Sequence, residues 1–144
     1  VMGSSKGGWL TIVCAALDKR VSCYAPVHAA LCDHTASLKG IACGWPHYFY
    51  DDKSPVNTKR SKYAKEIETV RYYDGVNFAK RITVPGWFSF GYNDDVVPPT
   101  TCYATYNIVS APKELHPYPK TKHFWYQEQY DAWIAWLSKQ MGVK

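Results

Sequence analysis

Apolar and polar positions follow one another in blocks that predict strands and helices in turn. Val1 and Met2 lead into a Gly/Ser-rich turn, and the apolar stretch over residues 9–17 is long enough for about two and a half helical turns. Residues 21–25 have the composition of a short buried strand, which Pro26 ends. The chain therefore begins with a predicted strand, a tight turn, a helix and a second strand.

The later part of the chain repeats this alternation through five predicted elements. They are a helix over 68–81, a buried strand over 85–92, a helix from 101 to about 109, a strand over 113–118 and an amphipathic helix over 126–141. Strands that alternate with helices are typical of a parallel sheet with crossover helices. The predicted fold class is therefore α/β.

Residues 27–68 interrupt the alternation. They combine Gly, Pro and Asp turn signals with a basic polar run that ends near Lys65, and we expect short helices and a long loop there. This segment is interpreted as an excursion, or cap, beside the core. With 144 residues, of which 47% are hydrophobic, the chain has enough apolar material for one core, and residues 1–144 are predicted to belong to a single domain.

Composition narrows the function classes. The net charge of +5 is spread over the chain without interleaved aromatic residues, which argues against nucleic-acid binding. The sequence has five cysteines but no Cys-x-x-Cys pair, so a zinc ribbon is not expected. No apolar run approaches the ~20 residues of a membrane span, and no signal peptide is visible. We expect no nucleic-acid partner, no membrane partner and no metal.

The segment Gly3-Ser4-Ser5-Lys6-Gly7 matches the pattern Gly-x-Ser-x-Gly. In this motif a strand turns sharply into a helix and holds the serine in a strained conformation, with its hydroxyl exposed at the carboxyl end of the sheet. The predicted strand before the motif and the apolar helix after it supply that context. Ser5 is therefore the candidate nucleophile, and the backbone N–H of Lys6 is a candidate oxyanion-hole donor.

A serine hydroxyl needs a base, and the base needs an acid that orients it. Of five histidines, His123 follows the last predicted strand, whereas His116 lies inside that strand and the other three fall in the excursion. Asp94 follows the strand over 85–92, with Asp95 as the alternative acid. The order Ser5, Asp94, His123 is the order of nucleophile, acid and base in α/β-hydrolases.

Several stretches along the chain resemble the acetyl xylan esterase/cephalosporin-C deacetylase family of carbohydrate esterases. They include Gly3-Ser4-Ser5-Lys6-Gly7-Gly8, Leu31-Cys32-Asp33, Tyr73-Asp74-Gly75-Val76-Asn77, Gly91-Tyr92-Asn93-Asp94, Pro98-Pro99-Thr100 and Ala104-Thr105-Tyr106-Asn107. The resemblance covers nearly the whole chain in order. It implies the C-terminal portion of an α/β-hydrolase fold.

The resemblance also implies an activity. Members hydrolyse acetyl esters of xylo-oligosaccharides or similar small acetylated compounds without a cofactor, and often assemble as hexamers. The family pattern carries the nucleophile onto Ser5, the acid onto Asp94 and the base onto His123. We therefore expect a small acetylated carbohydrate as substrate and a homo-oligomer as the assembly.

The chain departs from the family pattern in two places and in its extent. Many members have Gln where this chain has Lys6, and many have Gly-His-Glu where it has Lys122-His123-Phe124. The family's upstream half, with the first strands of the sheet and a second oxyanion donor, is expected to precede Val1. Because that part would carry any leader, a cytoplasmic and a secreted or periplasmic location both stay open.

Two other functions remain open from the sequence. One is a different serine hydrolase of the same fold, such as a peptidase or a feruloyl-type esterase. The other is a relative without catalytic activity that binds glycans through aromatic side chains such as Trp45, Tyr48, Trp87 and Trp125.

Overall fold

Among the described residues, four parallel strands form one sheet in which each strand pairs with the next along the chain. The structure is a computed structural model that describes residues 1–49 and 64–143. The strands are β1 (Met2–Ser4), β2 (Ala25–Val27), β3 (Gly86–Gly91) and β4 (Lys113–Tyr118). The predicted α/β class with a parallel sheet is confirmed.

Helices connect these strands and follow the last one. They are α1 (Lys6–Leu17), α2 (Ala64–Val70), α3 (Gly75–Ala79), α4 (Pro99–Ile108) and α5 (Gln127–Met141), with a 3₁₀ helix at Ala36–Lys39. Pro99 is the first residue of α4, where its missing N–H has no intrahelical partner to lose. Gly142 takes a left-handed conformation (φ 66°) and ends α5, as the sequence predicts.

Helices cover both faces of the sheet, as two successive residues of β3 show. Trp87 packs with Trp133 and Leu137 of α5, whereas Phe88 packs with Ile12 of α1 and with Tyr24. Successive side chains of a strand point to opposite faces, so one strand contributes to both halves of the core. All six residues of β3 are buried, as expected for a parallel sheet between two helical layers.

The boundaries of the second strand and of the first helix differ most from the sequence predictions, whereas those of β3, α4 and α5 differ by one or two residues. The second strand is Ala25–Val27 rather than 21–25, so the excursion predicted from residue 27 begins after this strand. Residues 50–63 of that excursion lie outside the described residues. The first helix begins at Lys6, immediately after the Ser5 turn, rather than at residue 9.

The helix predicted over 68–81 is two helices, because Asp74 starts a new one. Its carboxylate accepts the N–H of Val76 at 2.9 Å and caps α3. The same carboxylate accepts the N–H groups of Asp33 and His34, each at 2.9 Å. A side chain that satisfies three backbone donors at a helix start interrupts the preceding helix and ties the excursion to α3.

Candidate active site

Three side chains that follow three different strands meet at the carboxyl edge of the sheet. The Nδ1 atom of His123 lies 2.7 Å from Oδ2 of Asp94, and its Nε2 atom lies 3.0 Å from Oγ of Ser5. Ser5 follows β1, Asp94 follows β3 and His123 follows β4. The structure thus brings all three sequence-predicted residues within hydrogen-bonding distance in one chain of contacts.

The backbone at Ser5 is held in an uncommon conformation by its neighbours. Its φ of 56° and ψ of −118° lie outside the regions that L-residues usually occupy. The N–H of Ser5 donates to the carbonyl of Val27 at 3.0 Å, and the N–H of Ala30 donates to the carbonyl of Ser5 at 3.1 Å. These bonds to the end of β2 fix the strained turn and leave the serine hydroxyl free to face His123.

The glycines around Ser5 are not equivalent. A Cβ atom at Gly3 would lie 2.4 Å from the carbonyl oxygen of Gly7, and one at Gly8 would lie 2.9 Å from the carbonyl oxygen of Val27. A Cβ atom at Gly7 would meet no described atom within 4 Å. The close backbone approach that the motif predicts therefore depends on Gly3 and Gly8.

The loop that carries His123 lies directly against the end of β3. A Cβ atom at Gly91 would lie 2.4 Å from the carbonyl oxygen of Thr121 and 2.7 Å from that of Lys122. Asn93 holds the same loop, since its N–H donates to Thr121 at 3.0 Å and its side-chain amide donates to Pro119 at 2.9 Å. The absence of a side chain at Gly91 lets the loop approach closely enough for His123 to reach Asp94.

Asp94 is 3% exposed and its carboxylate is engaged on both oxygens. Oδ1 accepts the N–H groups of Val96 and Val97 at 3.0 and 2.8 Å, and Oδ2 faces His123. The neighbouring Asp95 is exposed. Of the two acids considered from the sequence, Asp94 is the one within hydrogen-bonding distance of His123.

Lys6 is the first residue of α1. The first N–H groups of a helix have no partner within it, so the backbone N–H of Lys6 belongs to the donors at this end of α1. The Lys6 ammonium lies 5.6 Å from the ring centroid of Trp45, which is a cation–π distance. The backbone of Lys6 thus adjoins Ser5, and its side chain packs beside an exposed indole.

The acetyl xylan esterase (AXE1) family model matches residues 1–140. The chain belongs to this family.

Relatives of known identity agree with the assignment. The acetyl esterase Axe7A of Xylanibacter ruminicola is 40% identical over 142 residues, which are 98% of this chain and 30% of that protein. The acetyl xylan esterase of Paenibacillus sp. R4 superposes with a TM-score of 0.78 at 27% identity, over 95% of this chain and 43% of that one.

Acetyl xylan esterase 1 of Thermoanaerobacterium sp. JW/SL YS485 superposes with a TM-score of 0.75 at 26% identity, over 97% of this chain and 44% of that one. The predicted α/β-hydrolase fold is confirmed. The chain spans less than half the length of each of these three relatives.

In this acetyl xylan esterase family member His28 also lies at the site, although the sequence did not predict it there. It follows β2, and its ring centroid lies 4.3 Å from that of His123. The feature of the sequence that could have identified His28 is the position of the second strand. A strand that ends at Val27 places residue 28 at the same edge as Ser5, whereas the strand predicted over 21–25 put it in the excursion.

The other histidines lie elsewhere. His116 lies in β4, as the sequence predicts, stacks on Trp87 with ring centroids 4.9 Å apart and contacts Glu114 at 3.1 Å. His34 is buried beside Tyr48 and Tyr73, and burial lowers its pKa.

Among residues 1–49 and 64–143, one group of potential metal-binding side chains has its ligand atoms within 4.8 Å of one another: His28, Asp94 and His123. Hydrogen bonds already engage both ring nitrogens of His123 and both carboxylate oxygens of Asp94. We therefore assign this group no metal. In the same described residues no helix has the length and hydropathy of a membrane span.

Proposed function

We propose that the protein is a serine esterase that hydrolyses acetyl esters of xylo-oligosaccharides or similar small acetylated compounds. The observation that carries the proposal is the pair of contacts at His123, 3.0 Å to the hydroxyl of Ser5 and 2.7 Å to the carboxylate of Asp94. Membership of the AXE1 family and the similarity to an acetyl esterase and an acetyl xylan esterase support the acetyl ester as substrate.

The first half of the reaction forms an acetyl-enzyme. Nε2 of His123 accepts the proton of the Ser5 hydroxyl while Oγ bonds to the acetyl carbonyl carbon. The Asp94 carboxylate accepts the Nδ1–H of the ring, which sets the tautomer and stabilises the imidazolium. The tetrahedral intermediate then breaks its bond to the sugar oxygen, which takes the proton from His123 and leaves as the alcohol.

The second half repeats the proton transfers with water. His123 accepts a proton from water, whose oxygen attacks the acetyl-enzyme, and the proton returns to Oγ of Ser5 as the bond to the acetyl group breaks; acetic acid leaves and ionises to acetate in solvent. In both halves the carbonyl oxygen becomes negative. The backbone N–H of Lys6 is our proposed donor to it, helped by the positive end of the α1 dipole.

A substrate comparison tests the proposal. The protein is assayed with p-nitrophenyl acetate, longer p-nitrophenyl acyl esters, a feruloyl ester and a peptide amide, and acetate release is measured from acetylated xylo-oligosaccharides. We expect the acetyl esters to have the highest kcat/KM. A preference for the amide, or glycan binding that survives Ser5→Ala with no turnover by the parent protein, overturns it.

A further inference from the structure

The loop that carries His123 must span most of the width of the described sheet to reach Ser5. Ser5 follows β1 and His123 follows β4, and these are the two outer strands of the described four-stranded sheet. Neighbouring strands lie about 4.8 Å apart, so the ends of β1 and β4 are separated by about 14 Å. The imidazole must therefore extend back over the ends of β3 and β2. The residues at those two ends determine its position.

Gly91 and Asn93 hold the loop at the end of β3, and His28 occupies the end of β2. The centroid of the His28 ring lies 4.3 Å from that of His123, with 42° between the ring planes. The indole of Trp125, in the same loop as His123, lies 6.1 Å from His28. His28 is 2% exposed, so its ring is itself shielded from solvent where it lies beside the base.

Ser4 and Ser89 fix this ring in place. The Ser4 hydroxyl lies 2.7 Å from Nε2 of His28, and the backbone N–H of His28 donates to the carbonyl of Ser89 at 2.8 Å. The φ of His28 is 31°, in the region that non-glycine residues seldom occupy. Strained backbone of this kind persists where its surroundings hold it, and it is concentrated at functional sites.

The surroundings of His28 also keep it uncharged. Burial, and secondarily the neighbouring His123, lower its pKa to about 4, and Asp94 offsets part of this effect. These two are the ionisable groups that act on it among the described residues. The Nδ1 atom of His28 is buried and has no described partner, so protonation would bury an N–H without an acceptor.

We propose that His28 is a positioning residue for the base: its uncharged ring, held by Ser4, packs against the imidazole of His123. The inference rests on the proposed function only in taking His123 as the base of Ser5. A ring fixed against one side of the imidazole restricts it to the orientation that faces both Ser5 and Asp94.

The test uses the rate at which a fluorophosphonate labels Ser5, measured at pH 7, because this reaction needs the base but no acetyl ester. His28→Phe keeps a ring against His123, whereas His28→Ala removes it. His116→Ala is the matched control, since that histidine also packs on an aromatic ring but lies in β4. Circular dichroism and thermal unfolding establish that each variant is folded.

We expect His28→Ala to reduce labelling at pH 7 by about tenfold, because the base is no longer held in line with Ser5. His28→Phe, which retains a ring against His123, should restore most of this rate, and Ser4→Ala should lower the rate by less than His28→Ala. His116→Ala should match the parent.

A labelling rate that is unchanged in a folded His28→Ala protein overturns the inference and leaves the proposed function intact. An equal loss of rate in a folded His28→Phe protein also overturns it, because the ring is then not what positions the base. A parent protein that is labelled at Ser5 but hydrolyses no acetyl ester contradicts the proposed function, while the labelling comparison still decides the role of His28.

Discussion

The Nε2 atom of His123 lies 3.0 Å from Oγ of Ser5, although 118 positions separate the two residues along the chain. The contact depends on the strand order, since it joins the loops that follow the two outer strands of the described sheet. The strand pairings from β1 to β4 therefore determine whether the two loops can meet. The predictions below test the groups that make this contact and the backbone that supports it.

Replacing Ser5 removes the proposed nucleophile and leaves its neighbour in place. Ser5→Ala should lower kcat for p-nitrophenyl acetate by about 10⁴-fold or more, as for other serine hydrolases that lose their nucleophile. The control is Ser4→Ala, whose hydroxyl contacts His28 rather than His123, and it should stay within about tenfold of the parent. Equal losses in the two variants would contradict the assignment of the nucleophile to Ser5.

Replacing the acid tests which carboxylate orients the base. Asp94→Asn keeps the size of the side chain but removes the charge that stabilises the imidazolium, so kcat should fall by about 10⁴-fold. Asp95→Asn is the matched control, because Asp95 is adjacent in sequence and exposed. Steady-state kinetics of the two variants separate the candidates, and a larger loss in Asp95→Asn would reverse our assignment.

The two glycines of the Ser5 motif should respond differently to the same change. Gly3→Ala places a Cβ atom 2.4 Å from the carbonyl oxygen of Gly7, which forces the turn to shift. We expect a loss of about 2 kcal/mol or more in the free energy of unfolding, in the range of overpacked sites. Gly7→Ala meets no described atom within 4 Å and should cost little. Urea unfolding of both variants measures the difference, and equal costs would contradict the described turn.

The three candidate residues named from the sequence lie together in the structure, although several element boundaries differ from the prediction. Ser5 was named from its motif, and Asp94 and His123 from their places after strands, an inference that tolerates an error of a few residues in the strand itself. His28 was missed because its position depends on such an error, since β2 ends at Val27 rather than at Ala25.

The division of the predicted helix 68–81 shows a second limit. Its cause is the carboxylate of Asp74, which accepts N–H groups from Asp33 and His34 about 40 positions earlier. Helical spacing reports only local preferences, and this contact is not local. The alternation of strands and helices, by contrast, was sufficient for the parallel sheet, because a parallel pair requires a crossover connection.

The pKa of His28, lowered from 6.5 to about 4 mainly by burial, makes a further prediction about stability. Between these two values the unfolded chain binds a proton that the folded chain does not, so the free energy of unfolding falls as the pH decreases. The contribution of His28 to the free energy of unfolding is therefore highest and constant above pH 6.5. It declines between pH 6.5 and pH 4, and it is lowest and constant below pH 4.

His28→Phe cannot titrate, so the difference in unfolding free energy between the parent and this variant isolates the effect. We expect the parent to lose up to about 3 kcal/mol relative to His28→Phe between pH 6.5 and pH 4. The pKa of His34 is also lowered, but His34 is present in both proteins, so its effect cancels in the difference. Urea titrations at half-unit pH steps measure the difference, and a constant value across the window would show that His28 is not held uncharged.

The most direct test of the central claim identifies the residue that carries the acetyl group during turnover. The protein is mixed with p-nitrophenyl acetate, quenched in acid within the first turnover and digested for peptide mass mapping. We predict one acetyl group on Ser5, no adduct there in Ser5→Ala, and little accumulation in His123→Ala. An acetyl group on Ser4 or Lys6 of the parent that forms at the rate of turnover, with Ser5 unmodified, would contradict the account.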